Sequence, residues 1–273
     1  MSVKFYPNGI GGSVGDQLDT CKPLGTSGNV WYVSSLIGTD SSAPAGQNRE
    51  KPLATIAQAV TNAAADDIIV CLQGHVEVLT AAQSLAKALT IIGEGTTGGK
   101  PGVSFSTNAA AASVFSIGSS FVELRNLYFP EGTQTNTSGK VTVGGAFARI
   151  VGCYFEQGGK DTGAGVVVSA DALRIDNSTF ISTGAFRAVQ PLAAIKSTAT
   201  STAQLELTGV VVSAGTVGFS NYSAVDLTLS TVLTRLKVLG LSLLLGADMD
   251  LAAGWTGFYN VQLATGGSRV NAP

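Results

Sequence analysis

The chain has 273 residues, a net charge of −2 and only 12% Asp, Glu, Lys and Arg, against about 25% in an ordinary soluble domain. A slightly acidic chain with pI near 5.4 excludes a basic nucleic-acid binder, and no run approaches the roughly 18 apolar residues of a membrane-spanning helix. Thirty-four glycines and a mean hydropathy of +0.31 point to tightly stacked, weakly charged structure, much of it covered by copies of itself or by a larger assembly.

Residues 1–28 read as an extended arm. Six glycines and Pro7 and Pro23 break any regular element. Phe5, Tyr6, Ile10, Val14 and Leu18 nevertheless make the segment too apolar for a free tail, so they are the candidate docking residues. No apolar stretch follows Met1–Pro7, and the reading expects no secretion leader.

Residues 29–72 read as a capping unit of strand, loop, helix and strand. Trp31-Tyr-Val-Ser-Ser is the first strand and residues 38–49 a polar loop. Pro52–Ala65 predicts a helix, with Pro52 in its first turn and an apolar stripe of Leu53, Ile56, Ala57 and Val60. Asp67-Ile-Ile-Val-Cys-Leu72 is the next strand. The lone His75 follows Gly74 in a turn. One histidine makes no two-histidine metal site.

Gly93-Glu-Gly-Thr-Thr-Gly98 matches the formal spacing of a dinucleotide-binding loop. That chemistry needs a helix to begin inside the motif. Gly99-Lys-Pro-Gly-Val-Ser-Phe105 follows instead, so the expectation is a corner loop.

From Phe121 to Val212 four segments share one pattern: Val122–Phe129, Ala148–Phe155, Leu173–Phe180 and Leu205–Val212. They align on Asn126, Gly152, Asn177 and Gly209, with offsets of 26, 25 and 32 residues. Before the Asn or Gly, apolar residues lie four and two places upstream. After it, the same side is set one and three places downstream. Each half has the period of a strand, but the parity slips at the centre. A straight strand would turn its apolar face outward there. A bend at a left-handed Asn or Gly lets both halves face one interior. Asn260, within Phe258–Leu263, is expected to form a last such corner.

The pattern Leu/Ile-x-Asn-x-x-Phe resembles the corner signature of the pectate-lyase-like right-handed parallel β-helix superfamily, with Gly at two of the four corners and Val212 in place of one Phe. The resemblance implies an all-β, single-chain right-handed solenoid over residues 73–273. It also implies that residues 29–72 are the cap such a solenoid needs to hide its first coil. Cys71 and Cys153 fall in the strand patterns and read as buried, reduced thiols; Cys21 lies in the arm.

Stacking the coils defines outward columns. Glu123, Arg149, Arg174 and Glu206 lie three places before the corner. Arg125, Val151, Asp176 and Thr208 lie one place before it. Glu123 is expected to pair with Arg149, and Arg174 with Asp176 or Glu206. Tyr128 and Tyr154 share a third column and are the candidate glycan contacts.

Enzymes of this resemblance are mostly polysaccharide lyases, polygalacturonases, esterases and tailspike depolymerases. Their signatures are clustered Asp with a Lys or Arg base, or Asn-Thr-Asp, Asp-Asp and Gly-His-Gly. This chain carries Asp66-Asp67 alone and Gly74-His75-Val76. Glu156 with Asp161, or Asp176 with Glu206, are the carboxylate pairs that hydrolysis would need, at roughly 5–9.5 Å. The leading expectation is therefore non-enzymatic, with no cofactor and no metal. It is a phage virion protein made in the host cytoplasm and placed on the particle's outer surface: a homotrimeric capsid decoration protein bound to the major capsid protein or another virion protein. The alternatives are a tail spike or fibre, a polysaccharide-degrading β-helix, and a glycan-binding module.

Overall fold

The computed structural model describes residues 28–40, 45–109, 112–131, 138–158, 163–169, 172–182, 192–197, 204–213, 222–226, 235–244, 248–250, 258–263 and 270–271. The arm residues Phe5, Tyr6, Ile10, Val14 and Leu18, with Cys21, Lys160 and Asp161, lie outside them.

The elements follow one another as coils. A leading strand β1 (Val30–Val33) and a short helix α1 (Ile56–Asn62) precede β2 (Asp67–Cys71), β3 (Val76–Leu79) and β4 (Gln83–Leu85). The next coil is β5 (Leu89–Gly93), a two-residue hairpin β6 (Thr96–Thr97) and β7 (Lys100–Pro101), then β8 (Ser104–Thr107) and β9 (Phe115–Ile117). β10 (Glu123–Arg125), β11 (Tyr128–Phe129) and β12 (Val141–Val143) form another. They are followed by β13 (Ala148–Val151), β14 (Tyr154–Gln157) and β15 (Val166–Val168), then β16 (Ala172–Asp176), β17 (Thr179–Ser182) and β18 (Leu192–Ser197). Later coils merge the first two sides into one strand: β19 (Gln204–Ser213) with β20 (Tyr222–Asp226), β21 (Arg235–Leu244) with β22 (Asp248–Asp250), and β23 (Phe258–Leu263) with β24 (Val270–Asn271).

Every pairing between coils is parallel and joins equivalent strands of successive coils. The first face runs β1-β2-β5-β10-β13-β16-β19. The second runs β3-β8-β11-β14-β17-β19. The third runs β4-β9-β12-β15-β18-β20-β22-β24. The chain is thus an all-β parallel β-helix, as the repeat implied, with the crossovers subject to the right-handed rule for parallel connections. Residues 130–140 connect the second face to the third, and the β6–β7 hairpin leaves between the first face and the second.

The inward positions on both sides of each corner are occupied as the repeat requires. Val122, Leu124, Leu127 and Phe129, and their equivalents through Leu205, Leu207, Val210 and Val212, are all buried. The corner residues carry left-handed backbones: Asn126 φ 53°, Gly152 φ 61°, Asn177 φ 47° and Gly209 φ 61°. Hydrogen bonding continues through the bend. The corner amides of Asn126, Gly152 and Asn177 donate to Val151, Asp176 and Thr208 of the next coil, at 2.8, 2.9 and 2.8 Å. The bend therefore leaves no orphaned donor. Asn126 also donates its side-chain amide to the Gly93 and Gly95 carbonyls at 2.6 and 3.1 Å.

Inside, Phe129, Phe155 and Phe180 stack with centroids 4.7 and 4.5 Å apart and rings within 12° and 4° of parallel. Each such contact adds about 0.5–1.5 kcal/mol beyond the burial itself. Phe105 continues the column toward the cap, and Glu77 stands at its head. Buried Ser178 fits an apolar position because its Oγ donates to Asp176 O and accepts from Cys153 N. Cys71 and Cys153 are buried free thiols, and burial pushes Cys153 up to about 12.

Two sequence expectations need correction. The helix begins at Ile56, not Pro52. Thr55 is its N-cap, accepting from Gln58 N, while Asp40 binds Thr55 and the Ala54 amide. Leu53 is drawn instead into backbone bonds with Tyr32 and Ser34. The buried stripe is Ile56, Ala59, Val60 and Ala63, and Ala57 is exposed. At the far end, Asn260 pairs with Leu239 and Val261 with Leu241. Asn260 therefore stands one place before the corner register, and Gly240 occupies that register opposite Gly209.

The corners give a graded test. Gly152→Ala has open space around its new Cβ, so it should cost only the left-handed strain, about 1–2 kcal/mol. Gly209→Ala has the same φ and also puts Cβ 2.4 Å from Asn177 Oδ1. Urea denaturation should find Gly209→Ala the more damaging, and equal losses would contradict this packing.

Candidate functional site

The polar groups singled out by the sequence gather into three places: the capped end, the first face and the second face.

At the capped end Asp67 is buried and fully engaged. It accepts from Asn29 N at 2.5 Å, Trp31 Nε1 at 2.8 Å and Ala64 N at 2.8 Å. The Asp66-Asp67 pair is thus a structural clasp, with Asp66 in a left-handed turn at φ 67°. His75 is buried as well. Its Nδ1 accepts from Ser35 N at 2.9 Å, which leaves the proton on Nε2, facing Glu77 Oε2 at 3.1 Å. The same Glu77 oxygen accepts from Ile56 N, the first turn of the helix. Lys87 binds the other end, donating to the carbonyls of Val60, Thr61 and Ala63 at 3.0, 3.3 and 2.6 Å. Opposite charges thus hold both termini of the plug, as the helix dipole favours. Arg49 grips buried Glu94 through two bonds, 2.6 and 2.7 Å, and ties the 45–51 loop to the solenoid. A shallow hollow of about 250 Å³ lies beside that loop, between Ile37, Thr39, Ala45, Glu50, Lys51 and Pro52.

Glu94 belongs to the glycine motif. Gly98 and Gly99, at φ 60° and 81°, form the turn of the β6–β7 hairpin, so the motif is turn chemistry with no helix to face a phosphate.

On the first face the register places Glu123, Arg149, Arg174 and Glu206 in one column. Asp176 is the hub. Arg149 reaches it at 2.8 Å and Arg174 at 2.8 Å, while Arg149 lies a looser 3.7 Å from Glu123. Arg125 closes on Glu123. Partial burial works to raise the Asp176 carboxyl, but the hydrogen bonds and charges of Arg174 and Arg149 outweigh it and hold the group below the usual carboxylate range.

On the second face Tyr128 and Tyr154 are stacked in register, with rings 5.8 Å apart at 75°. The β6–β7 hairpin carries Lys100 over both, its Nζ 4.9 and 5.2 Å from the two ring centres. Lys100 also donates to Glu156, as does the Tyr128 hydroxyl. Partial burial first, then the bond to Glu156, push Tyr128 up to about 12. A sugar approaching these ring faces would have to displace the ammonium.

Sequence reasoning missed one aromatic pair. Phe121 and Phe147 are exposed at the corner between the third and first faces and stack on each other. Among the described residues no group of three His, Cys, Asp or Glu is placed to hold a metal ion. No described helix is long and apolar enough to cross a membrane.

No protein-family model and no curated protein matches the chain. Among solved structures, pectate lyase Pel9A is similar over 91% of this chain and 79% of its own, at 11% identity and a TM-score of 0.42. A mutant tailspike protein of E. coli bacteriophage HK620, in complex with a hexasaccharide, is similar over 89% of this chain and 56% of its own, at 10% identity and a TM-score of 0.28. Likeness this distant concerns architecture alone, and the fold rests on the strand register given above.

The Asp176 hub has a signed pH dependence. Its folded value is depressed, so its stabilisation is complete above the unfolded carboxylate value near 3.9 and is lost as pH falls through the lower folded value. The guanidinium partners are 40% and 47% exposed, which limits the effect to on the order of 1 kcal/mol. Thermal unfolding of wild type and Asp176→Asn should differ at pH 7, and the difference should shrink progressively as pH falls below the unfolded carboxylate value near 3.9. A constant difference across that range would contradict the network.

Proposed function

We propose that the chain is a non-catalytic structural protein of a tailed-phage virion. It would act as a homotrimeric decoration protein on the outer capsid surface. The observation that carries this reading is the use of its outward ionisable groups. Glu123, Arg125, Arg149, Arg174 and Asp176 bind one another within and across coils, and Lys100, Glu156 and Tyr128 bind one another across coils on the next face. Carboxylates committed to arginine and lysine are poorly placed to activate water or protonate a leaving group. They suit a rigid shaft whose register must not slip.

The other support is the finished N-terminal end. Helix, clasp and lysine cap close the solenoid before the arm joins it at Gly28 and Asn29. In this reading the arm's apolar residues, Phe5, Tyr6, Ile10, Val14 and Leu18, would dock on a neighbouring surface. Docked across adjacent major-capsid subunits, the protein would stabilise the assembled shell by mass action without chemistry.

Full-length protein should co-sediment with capsids and raise the temperature at which they release their contents. Deleting residues 1–28 should reduce binding at least tenfold while leaving the far-UV circular dichroism unchanged. Undiminished binding by the truncated, folded protein would defeat the arm-docking reading.

A further inference from the structure

Phe121 and Phe147 break a local rule. Both have left-handed backbones, φ 61° and 57°, a region that bulky residues rarely enter. The turn demands that conformation, because it must deliver the next residue, Val122 or Ala148, into the core. Glycine or asparagine would fill the role with less strain, as they do at the other corner. Here the chain uses two phenylalanines, 67% and 60% exposed. Their rings are 5.2 Å apart and within 8° of parallel. The Glu123–Arg149 register sets them opposite each other, and the neighbouring registers set Ala88 and Ala172 on either side. The result is a two-ring ridge between small residues. The turns that carry it pack closely: a Cβ on Gly145 would fall 1.8 Å from Ser119 O of the adjacent turn. Strain retained at an exposed site suggests a task for the site.

The ridge borders the third face, which differs from the other two. Its outward column, in register, is Ser84, Ser116, Thr142 and Val167. Four successive coils thus offer no charge there, and charge returns at Lys196. The first face carries its arginine–carboxylate ladder; the second has an uncharged column of its own, Val76, Ser104, Tyr128, Tyr154, Thr179 and Val211, but there Lys100 of the hairpin covers the tyrosines and Glu156 stands beside them. When copies of one chain pack about a rotation axis parallel to their length, residues near that axis face their own copies. A charged column would meet like charge. A neutral column edged by aromatic anchors meets no such penalty, and aromatic residues dominate interface cores. A foreign partner places no comparable demand for neutrality.

We infer that the third face, with the Phe121–Phe147 ridge at its edge, is the surface through which copies of this chain associate side by side. This deepens the homotrimer proposed above, and it sets all capped ends and arms at the same end of the assembly.

The test is the mass of the full chain in solution, by sedimentation velocity, for wild type and for Phe121→Asn/Phe147→Asn. Asparagine keeps the backbone conformation and removes the ridge. Wild type should be oligomeric, and the double variant should dissociate to monomers with at least a hundredfold weaker association and an unchanged far-UV circular dichroism spectrum. Ser116→Lys, a charge added to an outward position of the same face, should also dissociate it and serves if the double variant misfolds. A monomeric wild type would overturn the inference. So would variants that keep the wild-type mass, including any that lose binding to a surface polysaccharide while remaining assembled. Mass is read without capsids, so a failure to bind capsids counts against the proposed function and not against this surface.

Discussion

The structure depends on one backbone event, the left-handed bend at Asn126, Gly152, Asn177 and Gly209. A strand alternates its side chains, and a bend of one residue in the left-handed region resets that alternation. Without it, Leu127 and Phe129 would leave the core that Val122 and Leu124 enter. With it, two short strands line one interior, and the corner amide still finds a carbonyl on the next coil. Parallel strands then stack in register, the phenylalanines fall into a column, and the outward charges fall into pairs.

Stacking creates ends, and the first end is treated as carefully as the core. Glu77 takes the column position that Phe105 and Phe129 occupy in later coils. A carboxylate suits that place because on its cap side it meets the helix N-terminus and His75 rather than a further phenylalanine. Lys87 holds the helix C-terminus, and Asp67 joins the leading strand to the first coil. The outer side of this first face is also covered: Tyr32, Ile68, Val70, Leu72 and Ile92 form a second apolar cluster. Polar and apolar groups together turn an exposed sheet edge and open core into a closed cap.

Much of this was legible in the sequence because it is local and periodic. The corners, the inward residues and the Glu123–Arg149 and Arg174–Asp176 pairs follow from counting positions along the chain. What escaped was set by contacts distant in sequence. The helix start moved because Asp40 and Tyr32 claim the residues before Thr55. Lys100 covers Tyr128 and Tyr154 because a hairpin inserted in an earlier coil folds across them. The Phe121–Phe147 pair was hidden because propensity argues against phenylalanine in a left-handed turn, so no pattern flags it. Asn260 misled because an asparagine between apolar pairs resembles a corner until the register of the preceding coil is known.

The most direct test of this account is the backbone torsion of Asn126 and Asn177 in solution, from NMR chemical shifts and three-bond amide couplings. The account predicts positive φ near 50° at both residues, flanked by extended values on either side. Negative φ there would mean that the parity slip is absorbed in some other way, and the stacked coils, the phenylalanine column and the charge ladder would lose their common cause.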